Sequence, residues 1–473
     1  MLLIAGAAQL EVMASINRYT LSCDTIDRYE SNSPMPLTSD ASITSPPERI
    51  SRLQVIALLV CIVAFAFDLF EISMGSVLSA VFSAPPHQIP APELAWLLSS
   101  VYIGAIIGAP TCGWLADRYG RRLVLAGCLA WLSLASLGAA YSAQALPLGI
   151  FRGLSGVALG AFPPLMVAYL AEIMPASRRG MLLFIVSALA FLGPPLGIFL
   201  IRVMAPLQPL GMESWRWAFV AGSLGAAITA VFFLWLPESP RWLREGQQGQ
   251  SPGRRSDASA SRWAASPTAI RLRSRVSDGS STYQATDWKT PRSRHGVRLA
   301  LVYSLNFLSP WFSVGFILVS GALLVQKGFQ LSDTLLYIAV STMGPTIGSL
   351  IASAVVDHVP RRLVLAVCAA TMLVAGAIFS VSQTLLPLAA ASLLFSICFA
   401  LYVPALNLYV ADLFATRVRA WAIATAWTFN RIGAALLPFV LLPVLKSAGP
   451  VAMFSIIAAA LVATLALLTF DPI

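Results

Sequence analysis

Charge is what this chain has least of. Only 11% of its 473 residues are Asp, Glu, Lys or Arg, against roughly 25% in soluble domains. So few charges cannot cover the surface of a water-soluble protein of this length. Lysine is nearly missing, with three (Lys289, Lys327, Lys446) among 31 basic residues. The three histidines, His87, His295 and His358, all fall between apolar runs, so a proton site inside those runs has to be a carboxylate. Of six cysteines, five (Cys61, Cys112, Cys128, Cys368, Cys398) lie within apolar runs and read as small packing residues, with no disulfide framework and no metal site. No Gly-x-x-x-x-Gly-Lys-[Ser/Thr] loop occurs, which argues against direct nucleotide drive. Neither a nucleophile–base set nor a metal-ligand cluster points to an enzyme. Residues 1–52 lack a basic segment ahead of an apolar core, so they read as a disordered cytoplasmic tail and not as a cleavable leader, with Met13 as an alternative start.

Hydrocarbon is abundant instead, at 58% of residues. Twelve runs, each long enough to cross a bilayer, are predicted at 53–82, 92–116, 122–141, 147–171, 181–203, 215–236, 298–324, 333–356, 362–381, 387–410, 420–443 and 450–470. Arg118, Arg121, Arg122, Arg178, Arg179, Arg361, Arg362, Arg417 and Arg419 then all lie on one side, which the positive-inside rule makes cytoplasmic, with both termini. The stretch from Arg244 to Arg298 holds eleven basic residues against four acids and much Ser, Gly and Pro. It carries much of the +10 net charge, so that charge indicates no nucleic-acid partner. The organisation expected is a bundle over 53–243, a basic cytoplasmic linker over 244–297 and a second bundle over 298–473.

The two bundles carry one pattern twice. Gly113-Trp-Leu-Ala-Asp-Arg-Tyr-Gly-Arg-Arg-Leu-Val-Leu125 returns as Ser353-Ala-Val-Val-Asp-His-Val-Pro-Arg-Arg-Leu-Val-Leu365, an offset of 240 residues. The pair Ala171–Gly180 and Ala411–Ala420 shares that offset, so the halves are duplicates with one topology. The first copy resembles the signature loop of the major facilitator superfamily. Arg152-Gly-Leu-Ser-Gly-Val-Ala-Leu-Gly160, Ala171-Glu-Ile-Met-Pro175 and Leu236-Pro-Glu-Ser-Pro-Arg-Trp-Leu243 resemble its sugar-porter-like branch. Asp412–Ala420, with Asn430-Arg-Ile-Gly433 and Pro438, is similar to the nicotinate, organic-ion and synaptic vesicle glycoprotein permeases.

This resemblance implies an all-α membrane protein of twelve transmembrane helices in two pseudo-symmetric six-helix bundles. In the signature loop Gly113 and Gly120 are expected to allow tight packing and a short turn, Asp117 to sit at a helix N-terminus, and Arg121 and Arg122 to bridge to acids on adjacent helix ends. With Glu172, Arg179, Glu238 and Arg241, and with Asp357, Arg361, Arg362, Asp412 and Arg419 of the second half, they are expected to form a cytoplasmic gate latching the halves shut. The second copy departs at Ser353 and Pro360, where the pattern has glycine, so its latch is expected to be looser.

Ionisable groups within spans are expensive and tend to face the interior. Asp68 and Glu71, three apart, share a face of the first span, and Arg152 lies in the fourth. Sugar-porter-like proton symporters have an acid in helix one and an arginine in helix four, so the resemblance implies proton coupling at Asp68 with Arg152, and with Glu71 as a second acid. Arg431, one turn from Trp427 in the eleventh span, suits a carboxylate-bearing aromatic, and Tyr303, Asn306 and Trp311 of the seventh could complete a substrate pocket. The amide-rich motifs of true sugar porters are replaced here by Ile185–Gly193 and Tyr303–Phe312, which demotes a hexose.

The sequence thus points to a monomeric plasma-membrane secondary transporter, bacterial and multi-pass, with no cofactor or metal and the proton as coupling ion. It is expected to take up a small organic acid, aromatic acids included, by alternating access. An efflux antiporter of hydrophobic compounds is the first alternative, since Gly193-Pro-Pro-Leu-Gly197 partly matches an efflux motif. A sugar or polyol permease is the second. A non-transporting nutrient receptor is the third, although such receptors are expected to carry a long C-terminal tail and Ile473 follows closely on span twelve.

Overall fold

A computed structural model describes residues 51–175, 179–239, 242–243, 292–355, 359–414 and 416–469. The expected N-terminal tail and nearly all of the basic linker fall outside these. Every described element is helical.

The first half comprises α1 (Arg52–Val81), α2 (Ala91–Tyr119), α3 (Arg121–Ala140), α4 (Ala145–Ile173), α5 (Arg179–Ala190), α6 (Gly193–Met204) and α7 (Ser214–Trp235). The second half comprises α8 (Arg292–Ser313), α9 (Gly315–Gln326), α10 (Leu331–Ser341), α11 (Gly344–Val355), α12 (Arg361–Val381), α13 (Leu385–Leu413) and α14 (Thr416–Thr469). Eleven stretches are long and apolar enough to cross a membrane, and the last, Thr425–Thr469, has 45 residues. At about 1.5 Å per residue that is more than twice the roughly 30 Å of a bilayer core. Its backbone leaves helical geometry at Gly449, whose φ of 84° suits glycine and turns the chain ahead of Pro450. α14 is therefore two crossings, which brings the total to the expected twelve.

Three predicted spans are not continuous. The fifth breaks between α5 and α6, ahead of Gly193-Pro194-Pro195; the seventh between α8 and α9, four residues after Pro310; the eighth between α10 and α11, at Met343-Gly344-Pro345. Proline removes a backbone donor and crowds the preceding turn, and glycine favours neither helix nor strand, so these local pairs interrupt helices that the apolar run alone would continue.

The halves share one hydrophobic core toward the face opposite the arginine loops, where Phe82, Leu94 and Trp215 join a cluster that includes Phe312, Leu323 and Leu441. Near the arginine loops, Ala57, Leu125, Tyr169 and Phe233 of the first half form a separate cluster. Close approach seals the shared side: a Cβ on Gly321 of α9 would lie 2.5 Å from the Ser76 carbonyl oxygen of α1. Polar bonds cross there too. Lys446 Nζ donates to the Ile89 carbonyl at 2.8 Å, and Arg202 Nε to that of Ser332 at 3.1 Å. On the same face Lys327 caps α12 by donating to the carbonyls of Phe379, Ser380 and Ser382, and partial burial holds its ammonium below the ordinary lysine range. The described molecule is closed on the face away from the arginine loops.

Candidate functional site

α1 carries the deepest acids. Asp68 and Glu71, one turn apart, are 0% and 1% exposed. Arg152 of α4 reaches Glu71: Nη1 donates to the Glu71 carbonyl oxygen at 2.9 Å and to Oε1 at 3.2 Å. Its guanidinium also lies over the Phe219 ring at 5.7 Å. The sequence expectation paired Arg152 with Asp68, and the structure corrects this. Both acids lie on one face, and the approach of α4 decides which of them the arginine meets. Among the described residues, neither Asp68 carboxylate oxygen has a hydrogen-bond partner. A dry, unpaired carboxylate is costly unless it holds a proton or gains a cation.

Beside α1 a cavity of about 170 Å³ lies between the halves. Ser73 and Ser76 of α1, Tyr102 of α2 and Arg431 of α14 contribute polar groups. Much of the remaining wall is made by the three helix breaks, through Phe191 and Pro194, Ser313 and Val314, and Thr342 and Pro345. Interrupted backbone at membrane depth is tolerated where it lines a cavity and not lipid. At each break a half-helix N-terminus follows the C-terminus of the other half, so the two partial charges largely cancel. Arg431 is left to supply the positive charge of the wall.

The Arg431 guanidinium lies 5.5 Å from the centre of the Trp427 ring, and no carboxylate or carbonyl of the described residues bonds it. Asp68 and Arg431 act on each other electrostatically without forming a bond. Tyr303, Asn306 and Trp311, expected in a pocket with Arg431, do not line this cavity. Tyr303 stacks on Phe429 with centroids 4.5 Å apart and donates to Thr425 Oγ1 at 3.0 Å. Asn306 spends its amide on the Val302 carbonyl one turn earlier, at 2.9 Å. The Trp311 ring nitrogen is buried with no partner among the described residues. Sequence reasoning missed the hydroxyls of Ser73, Ser76, Tyr102, Ser313 and Thr342. A faint signal existed: Ser73, Ser76 and Ser79 recur every three residues just beyond the two acids.

At the arginine face the signature loop is bonded within its own half. Arg121 Nη2 meets Glu172 at 3.0 Å. Glu238 accepts from the Arg122 backbone N–H at 3.0 Å, and Arg122 Nη1 donates to the Leu236 carbonyl at 2.8 Å. Trp242 donates its ring N–H to the Asp117 carbonyl at 2.9 Å. These bonds tie the ends of spans two, three, four and six together within the first half. Gly120 has φ of 97°, and a Cβ there would meet Glu238 Oε2 at 2.7 Å, whereas a Cβ on Gly113 would meet nothing within 4 Å. The turn needs glycine at Gly120, and the tight packing expected of Gly113 is absent. In the second half Arg362 Nη2 donates to the Leu468 carbonyl at 2.7 Å, and Arg361 is likewise engaged. Arg179, Arg241, Asp357, Asp412 and Arg419 have side chains outside the described set.

The model of the Major Facilitator Superfamily matches residues 56–438, most of the chain. The chain belongs to that superfamily. It is a multi-pass membrane transporter of small molecules and not an enzyme. A gallate transporter of Pseudomonas putida is 26% identical over 393 residues, covering 81% of this chain and 84% of its own. The putative metabolite transport protein YyaJ of Bacillus subtilis is 26% identical over 341 residues, covering 70% and 73%. Among solved structures, a partially occluded inward-open conformation of the xylose transporter XylE from E. coli matches with a TM-score of 0.68 at 18% identity, over 88% of this chain and 97% of that one. At that identity the match speaks for the facilitator fold alone.

Proposed function

We propose that this superfamily member takes up a small aromatic or other organic acid together with a proton, by alternating access. One arrangement carries the reading: on the wall of the central cavity Arg431, whose guanidinium is unbonded among the described residues, and on α1, next in sequence to the cavity-lining Leu69, the buried carboxyl group of Asp68, which has no partner among them. A carboxylate substrate would accept the planar fork of Arg431 while its ring rests against the apolar wall formed by Phe191, Ile317 and Phe399. Asp68 would carry the proton on its carboxyl group. The loaded carrier then moves without an unpaired acid in the membrane, and the empty carrier sheds the proton to reset. Glu71, bonded to Arg152, holds that arginine in place. The gallate transporter among the relatives supports an aromatic acid.

In this reading the arginine loops and both termini face the cytoplasm of a bacterial inner membrane, and the protein works as a monomer with no cofactor, the proton being its coupling ion. The described conformation is then closed toward the outside.

A second reading, a sugar or polyol permease, is favoured by the hydroxyls of Ser73, Ser76, Ser313 and Thr342 around the cavity. Proteoliposomes holding the purified protein separate the two. Labelled gallate, benzoate and xylose are offered with and without an inward pH gradient. Gradient-driven accumulation of an aromatic acid supports the first reading, and accumulation of xylose alone replaces it with the second.

A further inference from the structure

A second and larger cavity, about 560 Å³, lies within the first half between α1, α6 and α7. Its floor is the pair of rings Phe67 and Phe70 on the helix that carries Asp68 and Glu71. Its flanks are hydrocarbon, and they open sideways: Leu196, Leu224 and Leu200 are 65%, 61% and 52% exposed at the depth of the spans. At Gly197 the missing side chain lets α6 rest on the Phe70 ring; a Cβ there would come 2.2 Å from that ring.

Two observations select the occupant. Polarity is confined to one end, where Ser214 and the amphipathic Trp217 begin α7 on the face opposite the arginine loops. A solute with polar groups along its length would find nothing to bond below that rim and would lose its hydration. Length is the second. From Ser214 to Leu224 along α7 is about 15 Å at 1.5 Å per residue, half of a roughly 30 Å hydrocarbon core and hence the depth of one leaflet. The geometry points to one acyl chain of a phospholipid seated in this groove, its glycerol end beside Ser214 and Trp217, at the level where tryptophan favours the interface.

The chain would bear on the break in span five. Phe191 and Pro194 of that break line the central cavity, while Gly193, Leu196 and Gly197 line the groove. The lipid thus packs against the outer side of a hinge whose inner side forms the transport site.

The test uses the full chain in vesicles of phosphatidylcholine doped with a phosphatidylcholine whose acyl chain carries a mid-chain diazirine. After photolysis, adducts are mapped by mass spectrometry. Adducts on Phe67, Leu200 and Leu224 are expected at least fivefold above those on Leu134 and Leu386, which are 68% and 81% exposed away from the groove. Ala221→Phe fills the groove from an exposed position on α7 and is expected to cut the groove adducts at least fivefold while sparing Leu134. Leu224→Trp serves as a second filling variant, and each is checked for an unchanged thermal transition. Labelling that merely follows exposure, or that both variants leave intact, overturns the proposal. So does groove labelling abolished by saturating gallate or by xylose, which would make the groove part of the substrate path. The adduct pattern and its loss in the filling variants do not depend on which substrate is carried.

Discussion

Replacing Asp68 with asparagine separates proton coupling from folding, and a neighbouring variant provides the contrast. Asp68 makes no hydrogen bond among the described residues, so Asp68→Asn breaks none and removes an acid that the interior does not pair. Stability is expected to stay level or rise. Glu71→Gln, one turn away, replaces the carboxylate that meets Arg152 at 3.2 Å. It leaves a guanidinium only 2% exposed facing a neutral amide and a backbone carbonyl, with its counter-charge gone. Stripping one member from such a buried pair costs about 3–5 kcal/mol. Thermal unfolding of both proteins in one detergent measures that difference.

Transport then reads the coupling. With one proton per substrate, each unit of pH difference stores about 1.4 kcal/mol and sustains roughly tenfold accumulation. Wild-type protein is expected to approach that ratio in proteoliposomes, and Asp68→Asn to stay near equality. Counterflow should persist in the variant, because the loaded carrier exchanges without deprotonation. If Asp68→Asn still accumulates substrate along the pH gradient, Asp68 is not the coupling site. Loss of stability equal to that of Glu71→Gln would contradict the pairing itself.

Other expectations follow from single contacts. Arg431→Lys keeps the charge but loses the planar fork, so a carboxylate substrate should bind about 1–3 kcal/mol more weakly, read by equilibrium binding; unchanged affinity in Arg431→Ala removes the anion contact. Gly120→Ala places a side chain at φ 97° and against Glu238, so it should destabilise by about 1–3 kcal/mol, while Gly113→Ala should be silent in the same melting assay. Lys446→Met deletes the bond to Ile89 that crosses the halves. A net loss of about 0.5–1.5 kcal/mol should shift the closed–open balance of that face roughly two- to twelvefold. The readout is labelling of a cysteine introduced at Ser76, and equal labelling rates would show that the bond does not hold the face shut.

Much of the architecture is written locally. Runs of apolar residues and a charge content of 11% commit the chain to the bilayer, because span length and desolvation depend on composition alone. The arginine turns mark one face, and the offset of 240 residues between Gly113 and Ser353 declares the duplication. Even the turn at Gly449 falls between the runs read as spans eleven and twelve. What the sequence left open were relations between helices. A spacing of three puts Asp68 and Glu71 on one face, yet only the approach of α4 gave Arg152 to Glu71 and left Asp68 unbonded. The arginines of the signature loop could have reached either half, and packing placed their partners, Glu172 and Glu238, in their own. The Gly-Pro breaks were visible as residues, but not as the walls of one cavity. Helix periodicity fixes which side chains share a stripe; the rotation and approach of separate helices fix which stripes meet, and those come from the whole bundle.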